Sequence, residues 1–516
     1  MYSYDKAIVI INANIISFSE SITGNAILIK NGKIIKISSS REILNGVKGK
    51  YILIDAHGRS VLPAFIDAHT HLIDMAKRVD WIDLSKVNSL EGLKKVLQTI
   101  AEKTRKGDWI LGYGWDESKW LDERRYPTKK DLDEVSRDHP IFLRRIDGHM
   151  AVANTKALEE LKIPKGTPGF SVDTKGNPTG VLKEDAFLLA EKRLRISVKS
   201  FRKGLRRIVR LAIEKGVVMC HETLSLDDFL LINLLASEWK HFPIEIYTFI
   251  LESFMNKLID LGITREIGAI IRVGGIKIFV DGSIGARTAA LYEPYSDDPS
   301  TKGMLLMSED DLLEICRKAD KASLQLAIHA IGDRAIDVVL SALKKAQINK
   351  ENRHRIEHFE LVHDECIPEV KNLGIVLSMQ PNFIGQWQMP GGMYEKRLGK
   401  IRWKSLNPLG KLMKEGLIIA FGSDCMPFDP FFGLWSAVNH PIEENKLSIF
   451  DAVKAYTLHS AYAAHIEHIT GDIKESNLAN IIILNKELRK IKSDDILNLR
   501  ILCMIARGEL IYLKVG

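Results

Sequence analysis

The sequence predicts an α/β protein built on a (β/α)8 barrel, with an inserted α/β subdomain and a small β-sandwich domain made from both chain ends. Three observations predict it. From residue 62 to about 430, short apolar runs alternate with helix-length amphipathic segments, the pattern of strand-helix units around a parallel sheet. Residues able to hold a metal stand at the ends of five of those runs, where such a barrel carries its reactive groups. Strand-like segments also flank the barrel on both sides.

Residues 1–60 read as hairpin-rich β structure, with the Asn31-Gly32 turn signal between two apolar runs. The eight barrel runs are 62–69, 216–221, 244–250, 271–280, 323–329, 353–358, 373–380 and 416–422. The first two are separated by residues 72–215, far beyond an ordinary loop, so that stretch must carry structure of its own. Within it, 109–115 and 140–144 read as strands, placed where they could roof a site at the barrel mouth. After the barrel, residues 480–484, 501–506 and 509–513 are strand-like again. Neither end has enough strands to bury an apolar face alone, so residues 1–60 and 470–516 are expected to form one β domain beside a barrel at 61–469.

Composition narrows the function class. The 516 residues are 46% hydrophobic and 27% charged, an ordinary globular balance. No apolar run reaches the roughly 18 residues of a membrane helix, and the start lacks a signal-type core, so a cytoplasmic location is expected. Five scattered cysteines without a Cys-x-x-Cys pattern read as reduced packing residues. A formal net charge of +7 gathers partly in Lys192, Arg193, Arg195, Lys199, Arg202, Lys203, Arg206, Arg207 and Arg210. Phe201, Leu205, Ile208, Val209 and Ala212 recur there at helical spacing, so the basic side is a solvated helix face. No aromatic residues interleave with it as a single-strand groove requires, and nucleic acid is not expected as a partner. Monomer and homo-oligomer both remain open.

The chemistry begins at the first barrel run, which stops on His69-Thr-His71. Residues two apart on a strand share a face, so both imidazoles can grip one ion, although the pattern alone is weak. Lys277 lies towards the end of the fourth run, His329 ends the fifth and His358 the sixth, and Asp424 follows the eighth. Nothing resembles a Gly-x-Ser-x-Gly elbow or a phosphate-cradling loop, which removes serine-hydrolase and P-loop readings.

With these residues in place, the sequence resembles the amidohydrolase superfamily, whose barrels carry two histidines, a lysine, two histidines and an aspartate on strands one, four, five, six and eight. The segment Gly-Gly-Ile-Lys277-Ile-Phe-Val-Asp-Gly-Ser-Ile-Gly-Ala-Arg-Thr-Ala-Ala-Leu is similar to the branch related to N-substituted formamide deformylases, as are Gly-Tyr-Gly-Trp-Asp116 and Arg-Ile-Asp-Gly-His149. One departure lies near the end, where the family's Pro-Gly-Lys-x-Ala-Asp stands as Glu-Ser-Asn-Leu-Ala-Asn480. The resemblance implies one or two divalent ions, zinc foremost, on His69, His71, Lys277, His329, His358 and Asp424. A lysine ammonium has no lone pair for a metal. The resemblance therefore implies either a carbamate on Lys277 bridging two ions or an unmodified lysine beside one. It also brings Trp115, Asp116, His149, Asp281 and Arg287 near the substrate.

The expected reaction is hydrolysis of a C–N bond, amide or N-acyl, in a small molecule. A metal ion lowers the pKa of water to about 7 and polarises the carbonyl, while Asp424 serves as general base and then acid. A cyclic amide or imide hydrolase and a deaminase are alternatives with the same metal set. A non-catalytic barrel scaffold is the alternative from another class, and it predicts missing ligands.

Overall fold

A computed structural model describes residues 7–19, 22–194, 197–237, 242–264 and 271–514. Arg195 of the basic stretch lies outside the described residues, as do the first six positions of the expected β domain. Eight parallel strands hydrogen-bond in chain order: β1 (Phe65–Thr70), β2 (Val217–Leu224), β3 (Glu245–Leu251), β4 (Ile271–Phe279), β5 (Gln325–Ala330), β6 (Arg355–His358), β7 (Val376–Met379) and β8 (Ile419–Phe421). The ring closes at the strands' C-terminal ends, where Asp424 donates its backbone N–H to the His69 carbonyl at 2.8 Å and Ser423 N–H reaches Asp67 at 2.8 Å.

Alternation explains which side chains line the barrel. Ile66, Ile276, Ile278, Ile328 and Ile356 join the apolar core shared with the surrounding helices. Their neighbours Asp67, Lys277, His329 and Glu357 therefore face the opposite way, into the barrel. The register sets these groups near one level: Lys277 pairs with Ala327, and His329 pairs with Glu357. The basic stretch falls on two helices: Lys192 and Arg193 end Glu184–Arg193, and the amphipathic part is Val198–Glu214, which buries Phe201, Leu205, Ile208, Val209 and Ala212.

Strands β5 to β8 start two or three residues later than the apolar runs suggest. The reason is local: Ser323 (φ 55°), Arg353 (φ 48°), Gly374 (φ 67°) and Gly416 (φ 79°) adopt left-handed backbone that ends the preceding helical segment before the strand can begin. The run 62–69 also divides. Ser60–Pro63 pairs antiparallel with Ile481–Leu484, and only Phe65–Thr70 enters the barrel.

Two sheets outside the barrel carry strands from both chain ends. One holds Lys33–Ser38, Ala26–Lys30, Ala7–Ile11 and Tyr51–Asp55, and the other Asn14–Ile15, Ser60–Pro63, Ile481–Leu484, Ile501–Ala506 and Glu509–Leu513. Ile8, Ile10, Ile27, Ile29, Ile481, Ile483 and Ile505 form their common core. Between β1 and β2 stands a six-stranded mixed sheet that includes Ile110–Trp115 and Ile141–Arg145, with helices such as Leu90–Ala101 packed on it. No helix among the described residues is long and apolar enough to cross a membrane.

Candidate metal centre and its roof

His69 is buried near the end of β1, and its ring is held from behind. Nδ1 contacts the Glu357 carboxylate, which is itself gripped by Arg355 through Nε and Nη2, both at 2.8 Å. A carboxylate on Nδ1–H fixes the tautomer and leaves the Nε2 lone pair for a ligand. His71, just past the strand, places Nε2 3.0 Å from Asp424 Oδ1, and His69 Nε2 lies 3.8 Å from the same oxygen. The donor atoms of these three residues all lie within 4.8 Å of one another, a group able to hold a metal ion. Asp424 and Cys425 have positive φ (50° and 59°), an unfavourable backbone that turns this carboxylate to the cluster.

The other two barrel histidines adjoin the group through their rings. The His69 and His358 centroids are 4.8 Å apart, and those of His358 and His329 are 4.4 Å apart. By simple alternation His358 would follow Ile356 to the outside, but φ of 74° at His358 and 50° at Phe359 breaks the pattern. His329 Nε2 is 3.1 Å from the Gly282 carbonyl. Lys277 Nζ lies 5.0 Å over the Phe279 ring.

The electrostatics suit a cation. Burial pushes the pKa of His69, His329 and His358 well below the usual histidine range, helped by neighbouring cationic groups, so all three imidazoles are neutral, the form able to bind a metal. Burial also lowers the Lys277 ammonium to about 8 against the opposing pull of Glu357 and Asp424. His69 Nε2, Lys277 Nζ, His358 Nδ1 and Asp424 Oδ1 are buried without a hydrogen-bond partner. Orphaned polar atoms of this kind are costly, and the grouping of His69, His71 and Asp424 fits an ion with mixed imidazole and carboxylate ligands.

The five loop and insertion residues fall in different places. Trp115 is fully buried in the insertion's own core and donates its indole N–H to Leu143 O at 3.0 Å. Asp116 accepts from the Trp387 indole at 3.2 Å and lies 3.5 Å from Arg145. Arg287 pairs with Asp297 at 2.9 Å and donates to the Tyr126 hydroxyl at 2.8 Å. Asp281, completely buried, accepts backbone N–H groups of Ala290, Ile331 and Gly332 and sits 3.5 Å from His329 Nε2; burial raises its carboxyl to about 7. His149 alone joins the ring cluster, 5.3 Å from His329. Burial opposes its charge, but Glu184 and Asp147 lift its pKa to about 9.

Several groups here were not singled out from the sequence. Asp67 accepts from the His69 and Ser423 backbones and is raised to about 7 by burial. Asp67 with His69, and Arg355 with Glu357, are i and i+2 pairs, so the parity that aligns His69 with His71 contains the signal for them too. Glu360, two residues past His358, is buried, and burial raises its carboxyl to about 8. Glu184 lies in the insertion, in a segment with no motif.

Comparison with known proteins gives the family and the fold. The amidohydrolase family profile matches residues 53–512. The chain is 26% identical to N-substituted formamide deformylase of Arthrobacter pascens, with 99% of each covered, and 30% identical to Protein LONG AFTER FAR-RED 3 of Arabidopsis thaliana, covering 89% of this chain and 84% of that one. Among solved structures, a metal-dependent hydrolase from Pyrococcus horikoshii superimposes with a TM-score of 0.76 at 30% identity, covering 95% of this chain and 99% of that one.

Proposed function

The chain belongs to the amidohydrolase family, and from that premise we propose that it hydrolyses a C–N bond of amide or N-acyl type in a small substrate, with N-substituted formamides as the first class to try. The observation that carries this reading is the group of metal-capable donor atoms on His69, His71 and Asp424, all within 4.8 Å of one another. His69, His71 and Asp424 would hold a divalent ion, zinc foremost, with His329, His358 and Lys277 completing the set. When bound, that ion supplies carbonyl polarisation and water activation near neutral pH.

The remaining work falls to the chain. Asp424 is placed to take a proton from the attacking water and deliver it to the leaving nitrogen, since an amine departs only when protonated. Arg355 and Glu357 keep the His69 ring in one orientation. Two ions require an anionic bridge, and a carbamate on Lys277 would provide it; the buried, unpartnered amine with its pKa near 8 supports that chemistry. The five free cysteines accord with a reducing cytoplasm.

The test is turnover by protein loaded separately with zinc, iron, manganese and cobalt, on a panel of N-substituted formamides, longer N-acyl amides, cyclic imides and heterocyclic amines. Release of a free amine and a carboxylic acid supports the proposal. Ring opening without amine release, ammonia release, or no turnover with any metal would overturn it.

A further inference from the structure

The insertion reaches the ring cluster through His149, and that imidazole is oriented by a bracket of its own. His149 precedes the strand Met150–Ala153, and its Nδ1 is 3.0 Å from Glu184 Oε2. With Nδ1–H committed to a carboxylate, Nε2 is the ring nitrogen left for another partner. Glu184 Oε1 accepts the Thr288 hydroxyl at 2.5 Å, and Thr288 Oγ1 accepts the Ser283 backbone N–H at 3.0 Å. One carboxylate, only 4% exposed, thus joins the insertion to the loop that follows β4, the strand bearing Lys277.

The backbone around this carboxylate is shaped for it. Glu184 has φ of 41°, unusual for a residue with a side chain, and its N–H donates to the His149 carbonyl at 3.1 Å. Opposite stands Gly282, where a Cβ would lie 2.3 Å from Glu184 Oε1 and 2.2 Å from Thr288 Oγ1. A strained backbone, a close approach where an added Cβ would push this carboxylate or Thr288 aside, and the carboxylate's burial all fix one imidazole. Simple bracing of the insertion would need none of this precision, because Glu117 already pairs with Arg397 and Asp147 already accepts the Ser283 hydroxyl across that boundary.

We propose that Glu184 is a positioning residue for His149, and that His149 meets the substrate from the roof, across the ring cluster from His69, His71 and Asp424, donating a hydrogen bond from Nε2 to the substrate oxygen on which negative charge develops. The proposal rests on the hydrolytic reading above and adds a donor that does not depend on the metal ligands. Such a donor acts most strongly in a water-excluded site.

The experiment compares metal-loaded wild type with His149→Phe, Glu184→Gln and the double variant, reading kcat and KM separately, metal content, and formate affinity by calorimetry. His149→Phe should lower kcat about 10²- to 10³-fold with a smaller change in KM. Glu184→Gln should lower kcat about 10- to 100-fold, the range for a group that orients another. The double variant should be no worse than His149→Phe alone, because Glu184 acts only through that ring. Both single variants should weaken formate binding with metal content unchanged. If Glu184→Gln does not fold, Glu184→Asp, which keeps the charge and shortens the reach, carries the same readouts. Formate binding still tests the bracket should the wild type turn over nothing in the panel, so failure of the reaction and failure of the bracket are told apart. Additive losses, kcat and formate affinity within about twofold of wild type with only a lower unfolding midpoint, or loss of metal from Glu184→Gln, would overturn the proposal.

Discussion

Two clusters of buried charge in this molecule are built in opposite ways. At the barrel mouth, His69 Nε2, Lys277 Nζ and His358 Nδ1 are buried without hydrogen-bond partners, and Asp424 Oδ1 has only the imidazoles of His71 and His69 near it, at 3.0 and 3.8 Å. Where the insertion meets the loops after β4 and β7, Arg145 is equally buried, yet it grips Glu117 and Asp147 at 2.8 Å each, and Glu117 also takes Arg397 at 2.8 Å. An unpaired buried charge is so costly that the first arrangement persists only when something else completes it, whereas the second is complete by itself. The difference separates a site from a clasp, although both consist of the same residue types.

The sharpest way to break this comparison is at Asp424. Asp424→Asn should cut turnover about 10²- to 10⁴-fold, since it removes the proton carrier, while the unfolding midpoint barely moves. Near-wild-type turnover would show that the carboxylate is not part of the chemistry. From the other side, Arg145→Met strands carboxylates that now have a partner, and should cost about 3–5 kcal/mol in urea unfolding without changing metal content. Loss of metal at unchanged stability would merge the two clusters into one.

Lys277→Ala should lose the metal that depends on a bridging anion, and short carboxylic acids should restore part of it, as read by elemental analysis. Full metal retention without rescue would leave a single-ion site with an ordinary lysine. The smallest effect belongs to Asp131, which caps the helix Lys129–Val135 and takes Arg125 at 2.8 Å through both oxygens. Burial opposes its charge, but Arg125 and Thr128 hold its carboxyl down near 2. A depressed carboxyl stabilises the fold above the unfolded value of about 4 and loses that contribution as pH falls towards 2. Asp131→Asn should therefore cost about 1 kcal/mol near pH 6 and almost nothing near pH 2, measured by urea midpoints at both. An equal cost at both values would rule out the ion pair as its origin.

Much of the fold was legible because a parallel barrel repeats one signal eight times. Its strands are buried on both faces, so each shows as an apolar run, and the flanking β segments show as shorter ones. Boundaries were less legible because apolar residues such as Leu324 and Ile375 follow the left-handed turns at Ser323 and Gly374 directly, and hydrophobicity does not mark where a helix stops. At the site, parity points Lys277 and His329 inward, but nothing in sequence announces the positive φ that returns the His358 ring to the cluster. Trp115 illustrates a different limit. An aromatic residue in an insertion looks the same whether it lines a pocket or, as here, fills the insertion's own core. Glu184 was out of reach because its contacts, His149 and Thr288, lie 35 and 104 residues away in the chain.

The most direct test of the contrast between site and clasp is metal stoichiometry. Protein purified without chelator and reloaded with zinc, iron, manganese or cobalt should hold at least one tightly bound equivalent, and a His69→Ala, His71→Ala double variant should lose it while remaining folded. Absence of stoichiometric metal from the wild type, or its retention by the double variant, would contradict the assignment of these unpartnered atoms to an ion.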